Sequence, residues 1–160
     1  MNWQEVCEHP LLKDLPFKLE TDRWGHIVMS PATNRHSWLQ GEILSLLRQA
    51  LPAGRVLPEC SIQTSEGVKV ADVVWGSAGF FARHGFANPY PAAPEIVVEV
   101  LSPSNSLAEM REKQGLYFAG GAREFWLCGE EGAMRFYGRQ VELGRSILAP
   151  EFPGPVELPL

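Results

Sequence analysis

Two short apolar runs, each interrupted by a single carboxylate, constrain the fold of this chain more than any other feature. Val68-Lys69-Val70-Ala71-Asp72-Val73-Val74-Trp75 and Ile96-Val97-Val98-Glu99-Val100-Leu101 are rich in β-branched residues and almost continuously apolar. That pattern belongs to strands covered on both faces at the centre of a sheet. Alternation puts Asp72 on the face of Val70 and Val74, and Glu99 on the face of Val97 and Leu101. A buried, ionised carboxylate is costly unless it is paired, hydrogen-bonded or bound to a metal. Two such acids on neighbouring strands can meet and hold a hard cation such as Mg²⁺, which takes oxygen ligands and keeps several waters. Taken singly, each also fits a strand-end acid that reaches solvent or caps a turn.

The rest of the chain reads as elements around these two strands. A strand over 55–63 pairs with the first run through the turn Ser65-Glu66-Gly67. Segment 76–94 is rich in Gly, Pro and Ala and reads as a long loop. After the second run, Ser106-x-x-Glu109 is a capping box that opens a helix to about 119, and Gly120-Gly121 ends it. Segments 124–128 and 133–137 form a hairpin. Upstream, 17–21 and 26–29 form another, and Thr33 or Asn34 caps a helix to about 51 whose apolar stripe is Leu39, Ile43, Leu46, Leu47 and Ala50. The tail, with Pro150, Pro153, Pro155 and Pro159, reads as extended and peripheral. This order predicts an α/β (α+β) fold in which helices pack on a mixed central sheet. The 160 residues suggest one domain over 1–160, with its core at about 15–140.

Composition narrows the function classes. Apolar residues at 45% and charged residues at 21% exclude disorder as the main state. No stretch is long and apolar enough for a membrane span. MNWQEVCEHP lacks the basic and apolar regions of a secretory leader, and Cys7, Cys60 and Cys128 make neither a disulfide framework nor a zinc ribbon, so a cytoplasmic location is expected. A net charge of −5 points away from strong nonspecific nucleic-acid binding; any contact with DNA would use a local patch, helped by bound metal.

Two further residues join the acids as candidates. Glu42, at the flank of the first helix's stripe, can point over the sheet or serve as a surface glutamate. Lys113 either pairs with Glu109 one turn back or presents its ammonium to the acids. His9, His26, His36 and His84 lack zinc-enzyme spacing, and His36 reads as a core histidine. No nucleophile elbow, P-loop or dinucleotide fingerprint is present.

Pro94-Glu95-Ile96-Val97-Val98-Glu99-Val100-Leu101-Ser102-Pro103-Ser104 resembles the signature of the Uma-two family, a large prokaryotic group in the PD-(D/E)XK nuclease superfamily. Glu109-x-x-x-Lys113-x-x-x-Tyr117, Gly121-Ala122-Arg123-Glu124-Phe125-Trp126-Leu127, Ala71-Asp72-Val73-Val74 and Asn34-x-His36 extend the likeness over about 15–140. The resemblance implies a restriction-endonuclease-like fold and a Mg²⁺- or Mn²⁺-dependent endonuclease acting on DNA, with a homodimer to cut both strands. It implies Asp72, Glu99 and Glu42 as metal ligands and Lys113 as the catalytic lysine. Leu101 stands where the family's E-x-K lysine would be, and Lys113 on the following helix fits as its replacement. Two other readings stay open: an inert nucleic-acid-binding or dimerisation module of the same fold, and a glycosidase using two carboxylates.

Overall fold

The computed structural model describes residues 1–159. In chain order the elements are α1 (Trp3–Glu8), β1 (Phe17–Thr21), β2 (Ile27–Pro31), α2 (Asn34–Ala50), β3 (Arg55–Thr64), β4 (Gly67–Gly76), α3 (Ala78–His84), β5 (Ile96–Val100), α4 (Leu107–Ala119), β6 (Glu124–Cys128), β7 (Met134–Tyr137) and β8 (Glu142–Leu143). Strands β3 to β8 form one six-stranded sheet in that order, and β1 and β2 form a separate hairpin. Among these strands only β5 and β6 run parallel; α4 makes the crossover between them. The fold is thus the mixed α+β architecture that the alternating pattern predicts.

Each face of the sheet carries its own apolar core. Leu39, Ile43 and Leu47 of α2 pack on Val73, Val98 and Trp126. Met110, Tyr117 and Phe118 of α4, with Phe80 of α3, pack on Val74, Val97 and Phe125. Both helices start as their sequences dictate. The Thr33 hydroxyl accepts the His36 amide at the head of α2, and Ser106 and Glu109 close a reciprocal capping box on α4.

Three parts differ from the sequence reading. Segment 76–94 is not all loop: the Ser77 hydroxyl caps α3, and the Glu95 carboxylate accepts the Ser77 amide. Residues 3–8 form a short helix capped by Asn2. The proline-bearing tail is not peripheral. Ala149, Phe152 and Val156 are buried, the Phe152 ring lies 4.7 Å from that of Trp126, and the Val156 amide bonds the Gly132 carbonyl. Its prolines stop regular structure, but its apolar side chains still cover the sheet. Glu124 fastens this segment. Its buried carboxylate accepts the Trp126 indole N–H, the Ser146 hydroxyl and the amides of Ile147 and Leu148.

The strand that carries Asp72 is paired unequally on its two sides. Against β3 it is paired along most of its length, but against β5 only from Val73 to Trp75. On the side left open, β1 takes over with side chains. Glu20 accepts the Val70 amide and Thr21 the Val68 amide, both groups buried. The turn into β4 fits against the hairpin only because residue 67 is glycine at φ +92°; an added Cβ would overlap the Thr21 and Asp22 carbonyls. This parting of β4 and β5, roofed by the hairpin, creates the cleft described next.

Candidate active site

Continued by one residue, the register that opposes Val73 to Val98 sets Asp72 opposite Glu99, at the point where the two strands separate. Both side chains are 1% exposed, and both face a cleft of about 610 Å³. The hairpin forms one wall through Phe17, Lys18, Glu20, Val28 and Met29; the opposite wall is α4 and the loop of Ser102, Ser104 and Asn105.

Each acid has one oxygen fixed by the protein and one turned towards a shared centre. Asp72 Oδ2 accepts the Val100 amide at 2.8 Å and lies 3.2 Å from His36 Nε2. Glu99 Oε1 accepts the Tyr117 hydroxyl at 2.7 Å and the Lys113 ammonium at 3.3 Å. The remaining oxygens, Asp72 Oδ1 and Glu99 Oε2, both meet Lys18 Nζ, at 3.0 and 3.5 Å. Lys113 Nζ in turn sits 2.7 Å from Glu20 Oε1. Three acids therefore face two ammonium groups and one imidazole.

The backbone is bent at the same place. Glu59 of β3 lies level with Asp72 between the pairs Pro58–Val73 and Cys60–Ala71, and has φ +51°. Few non-glycine residues adopt that conformation, and they gather at functional sites. Gln40 of α2 holds both strands there, its amide donating to the Asp72 carbonyl at 2.9 Å and the Glu59 carboxylate at 2.8 Å.

The electrostatics follow from burial and proximity. Burial alone would raise Asp72; Lys18, His36 and the Val100 amide outweigh it and hold the carboxyl well below its usual range. Glu99 goes the other way. Complete burial pushes it up to about 7, with the like charges of Asp72 and Glu20 adding to the rise and Lys113 and Lys18 opposing it. Burial would lower Lys18, but Glu99, Asp72 and Glu20 overcome that and hold its ammonium above the ordinary lysine value. His36 behaves alike: burial lowers it, and the stronger pull of Asp72 leaves it raised.

The structure brings together Asp72, Glu99 and Lys113. Lys113 turns inward to Glu20 and Glu99, not outward to Glu109. Glu42 does not join them. It is half-buried outside the cleft, six positions beyond His36 on α2, whereas the site is faced by His36 and by Gln40 one turn on. Its place as third acid is taken by Glu20, from the hairpin. Sequence reasoning passed over Glu20 and Lys18 and read His36 as a core histidine, whereas its ring contacts Asp72. The signal for the first two was Lys18-Leu19-Glu20, a charged pair on one face of a strand whose other face carries Phe17 and Leu19.

A divalent cation is the group that an acid pair of this kind implies. Asp72 Oδ1 and Glu99 Oε2 are hard oxygen donors, and both already face one positive charge, the Lys18 ammonium. The donor set fits. The cleft is lined by six carboxylates and three ammonium groups.

Among solved structures, the chain is similar to one titled as a "putative nuclease belonging to DUF820" from Anabaena variabilis ATCC 29413, with a TM-score of 0.67 and 22% sequence identity over 78% of this chain and 73% of that one. At that identity the likeness establishes the shared fold. No curated protein matches the chain. A family model described as "Putative restriction endonuclease" matches residues 6–158, and the chain belongs to that family, Uma2.

Proposed function

We propose that this protein is a divalent-cation-dependent endonuclease that hydrolyses phosphodiester bonds of DNA at the Asp72–Glu99 pair. One observation carries the reading: two buried acids on neighbouring strands, each with one oxygen fixed by the protein, turn their other oxygens to the same Lys18 ammonium at the floor of a cleft.

Asp72 and Glu99 would hold Mg²⁺ or Mn²⁺, which would supply Lewis acidity towards the attacking water and the phosphodiester. The side chains around the pair prepare it. His36 and the Val100 amide fix the Asp72 carboxylate, and Tyr117 fixes Glu99, so neither must be ordered when substrate enters. Lys113, held by Glu20 beside Glu99, keeps an ammonium where charge builds up in the transition state. Cutting both strands calls for two such sites, and the reading therefore includes a homodimer.

The test is calorimetric titration of Mn²⁺ into the wild type, Asp72→Asn and Glu99→Gln. Binding to the wild type that is lost in both variants supports the reading. No binding to the wild type, even with a duplex oligonucleotide present, refutes it. That second result is what an inert module of the same fold requires, a reading favoured by the charge balance that Lys18, Lys113 and His36 already give the three acids.

A further inference from the structure

We propose that Lys18 is an internal counter-cation: its ammonium occupies the divalent-cation position while the site is unloaded and must withdraw before a cation binds. This rests on the assignment of Asp72 and Glu99 as cation ligands.

The geometry separates Lys18 from Lys113. Lys113 approaches Glu99 on Oε1, the oxygen shared with Tyr117, and is anchored by Glu20 at 2.7 Å. It can stay when a cation binds. Lys18 lies instead between the two acids, on the oxygen of each that no other group takes. A small divalent cation sits about 2.1 Å from its oxygen ligands. Placed against both Asp72 Oδ1 and Glu99 Oε2, it would take the same two oxygens that the ammonium contacts at 3.0 and 3.5 Å. Two positive charges at that separation would also repel strongly in so buried a place. Cation and ammonium therefore compete for the same two oxygens.

The chain gives Lys18 a way out. It comes from the separate hairpin and not from the central sheet, its flexible stem runs along the cleft wall, and its side chain keeps 14% exposure while the acids keep 1%. Withdrawn, the ammonium stays in the cleft, where acids outnumber cations and a phosphodiester would lie. Loading of the site and readiness for a phosphate would then be coupled through one side chain. Unloaded, the same ammonium keeps two buried carboxylates from facing each other without compensation.

The experiment compares Mn²⁺ binding and thermal unfolding, with chelator or with Mn²⁺, in the wild type, Lys18→Met and Lys18→Arg. Lys18→Met should bind Mn²⁺ about tenfold tighter than the wild type or better. It should melt lower than the wild type in chelator and recover with Mn²⁺, giving a larger cation-induced shift. Lys18→Arg, which keeps the charge, should bind no tighter than the wild type. Equal or weaker Mn²⁺ binding by Lys18→Met overturns the proposal. If metal-free Lys18→Met fails to fold, Lys18→Gln takes its place under the same criterion. Asp72→Asn in each background separates the two claims. Wild-type binding that needs Asp72, without a gain in Lys18→Met, removes the role of Lys18 and leaves the site standing. Binding indifferent to Asp72 removes the site, and the proposal with it.

Discussion

Tyr117→Phe removes one oxygen atom and nothing else from the floor of the site. The ring is fully buried and stacks against Phe125 at 6.2 Å between centroids, so phenylalanine keeps the packing and opens no cavity worth the name. What goes is a 2.7 Å hydrogen bond to Glu99 Oε1. A bond of this kind to an ionised acceptor contributes about 1.5–3 kcal/mol, and one between neutral partners about 0.5–1.5 kcal/mol. Glu99 changes between these two states at about 7. The cost of the substitution should therefore depend on pH: about 2 kcal/mol at pH 8, where Glu99 is ionised, and about 1 kcal/mol at pH 5, where it is protonated. Urea unfolding in chelator at the two pH values measures both. An equal cost at the two values, or a larger one at pH 5, would refute the assignment of the hydroxyl as support for the Glu99 carboxylate.

Three further outcomes follow. In chelator, the wild type should be more stable at pH 5 than at pH 8, because Glu99 binds its proton more tightly folded than unfolded between 4.5 and about 7, a difference worth roughly 3 kcal/mol that is lost as pH rises; His36, also raised, adds in the same direction, while the lowered Asp72 takes stability away only on acidification below its ordinary value of 3.8. Equilibrium unfolding across that range checks the slope. Glu124→Gln should cost about 3 kcal/mol and speed hydrogen exchange at Ile147 and Leu148, since the amide nitrogen replaces an oxygen that takes two of four donors, two of them buried and two part-buried. Glu42→Gln should leave Mn²⁺ affinity unchanged, whereas Glu20→Gln should alter it by releasing Lys113, a contrast that calorimetry reads directly.

The acids at the heart of the site were visible in the sequence because they break a rule. Asp72 and Glu99 interrupt runs that otherwise demand burial, and strand alternation is a local property that needs no knowledge of the fold. Lys113 was within reach for the same reason, since a capping box at Ser106 fixes the helix phase that turns it inward. Glu42 was misplaced because helical phase alone does not say which flank of an apolar stripe looks into a cleft; His36 and Gln40 settle that through contacts to Asp72, on a strand far away in the chain. Lys18 and Glu20 were hidden by a different limit. Nothing local says that the hairpin lies across the gap between β4 and β5, and only that placement turns an ordinary charged strand face into part of the site. The tail was misread because proline reports the absence of regular structure, not the absence of burial, as Phe152 and Val156 show.

The central claim is that Asp72 and Glu99 together hold the cation that cuts DNA. Incubation of supercoiled plasmid with the wild type, Asp72→Asn and Glu99→Gln, each with Mg²⁺, Mn²⁺ or chelator, tests it most directly once circular dichroism has shown all three to be folded. The account predicts nicking or linearisation by the wild type only with a divalent cation, and none by either variant. Cleavage by the variants at the wild-type rate, or wild-type cleavage that persists in chelator, would contradict it.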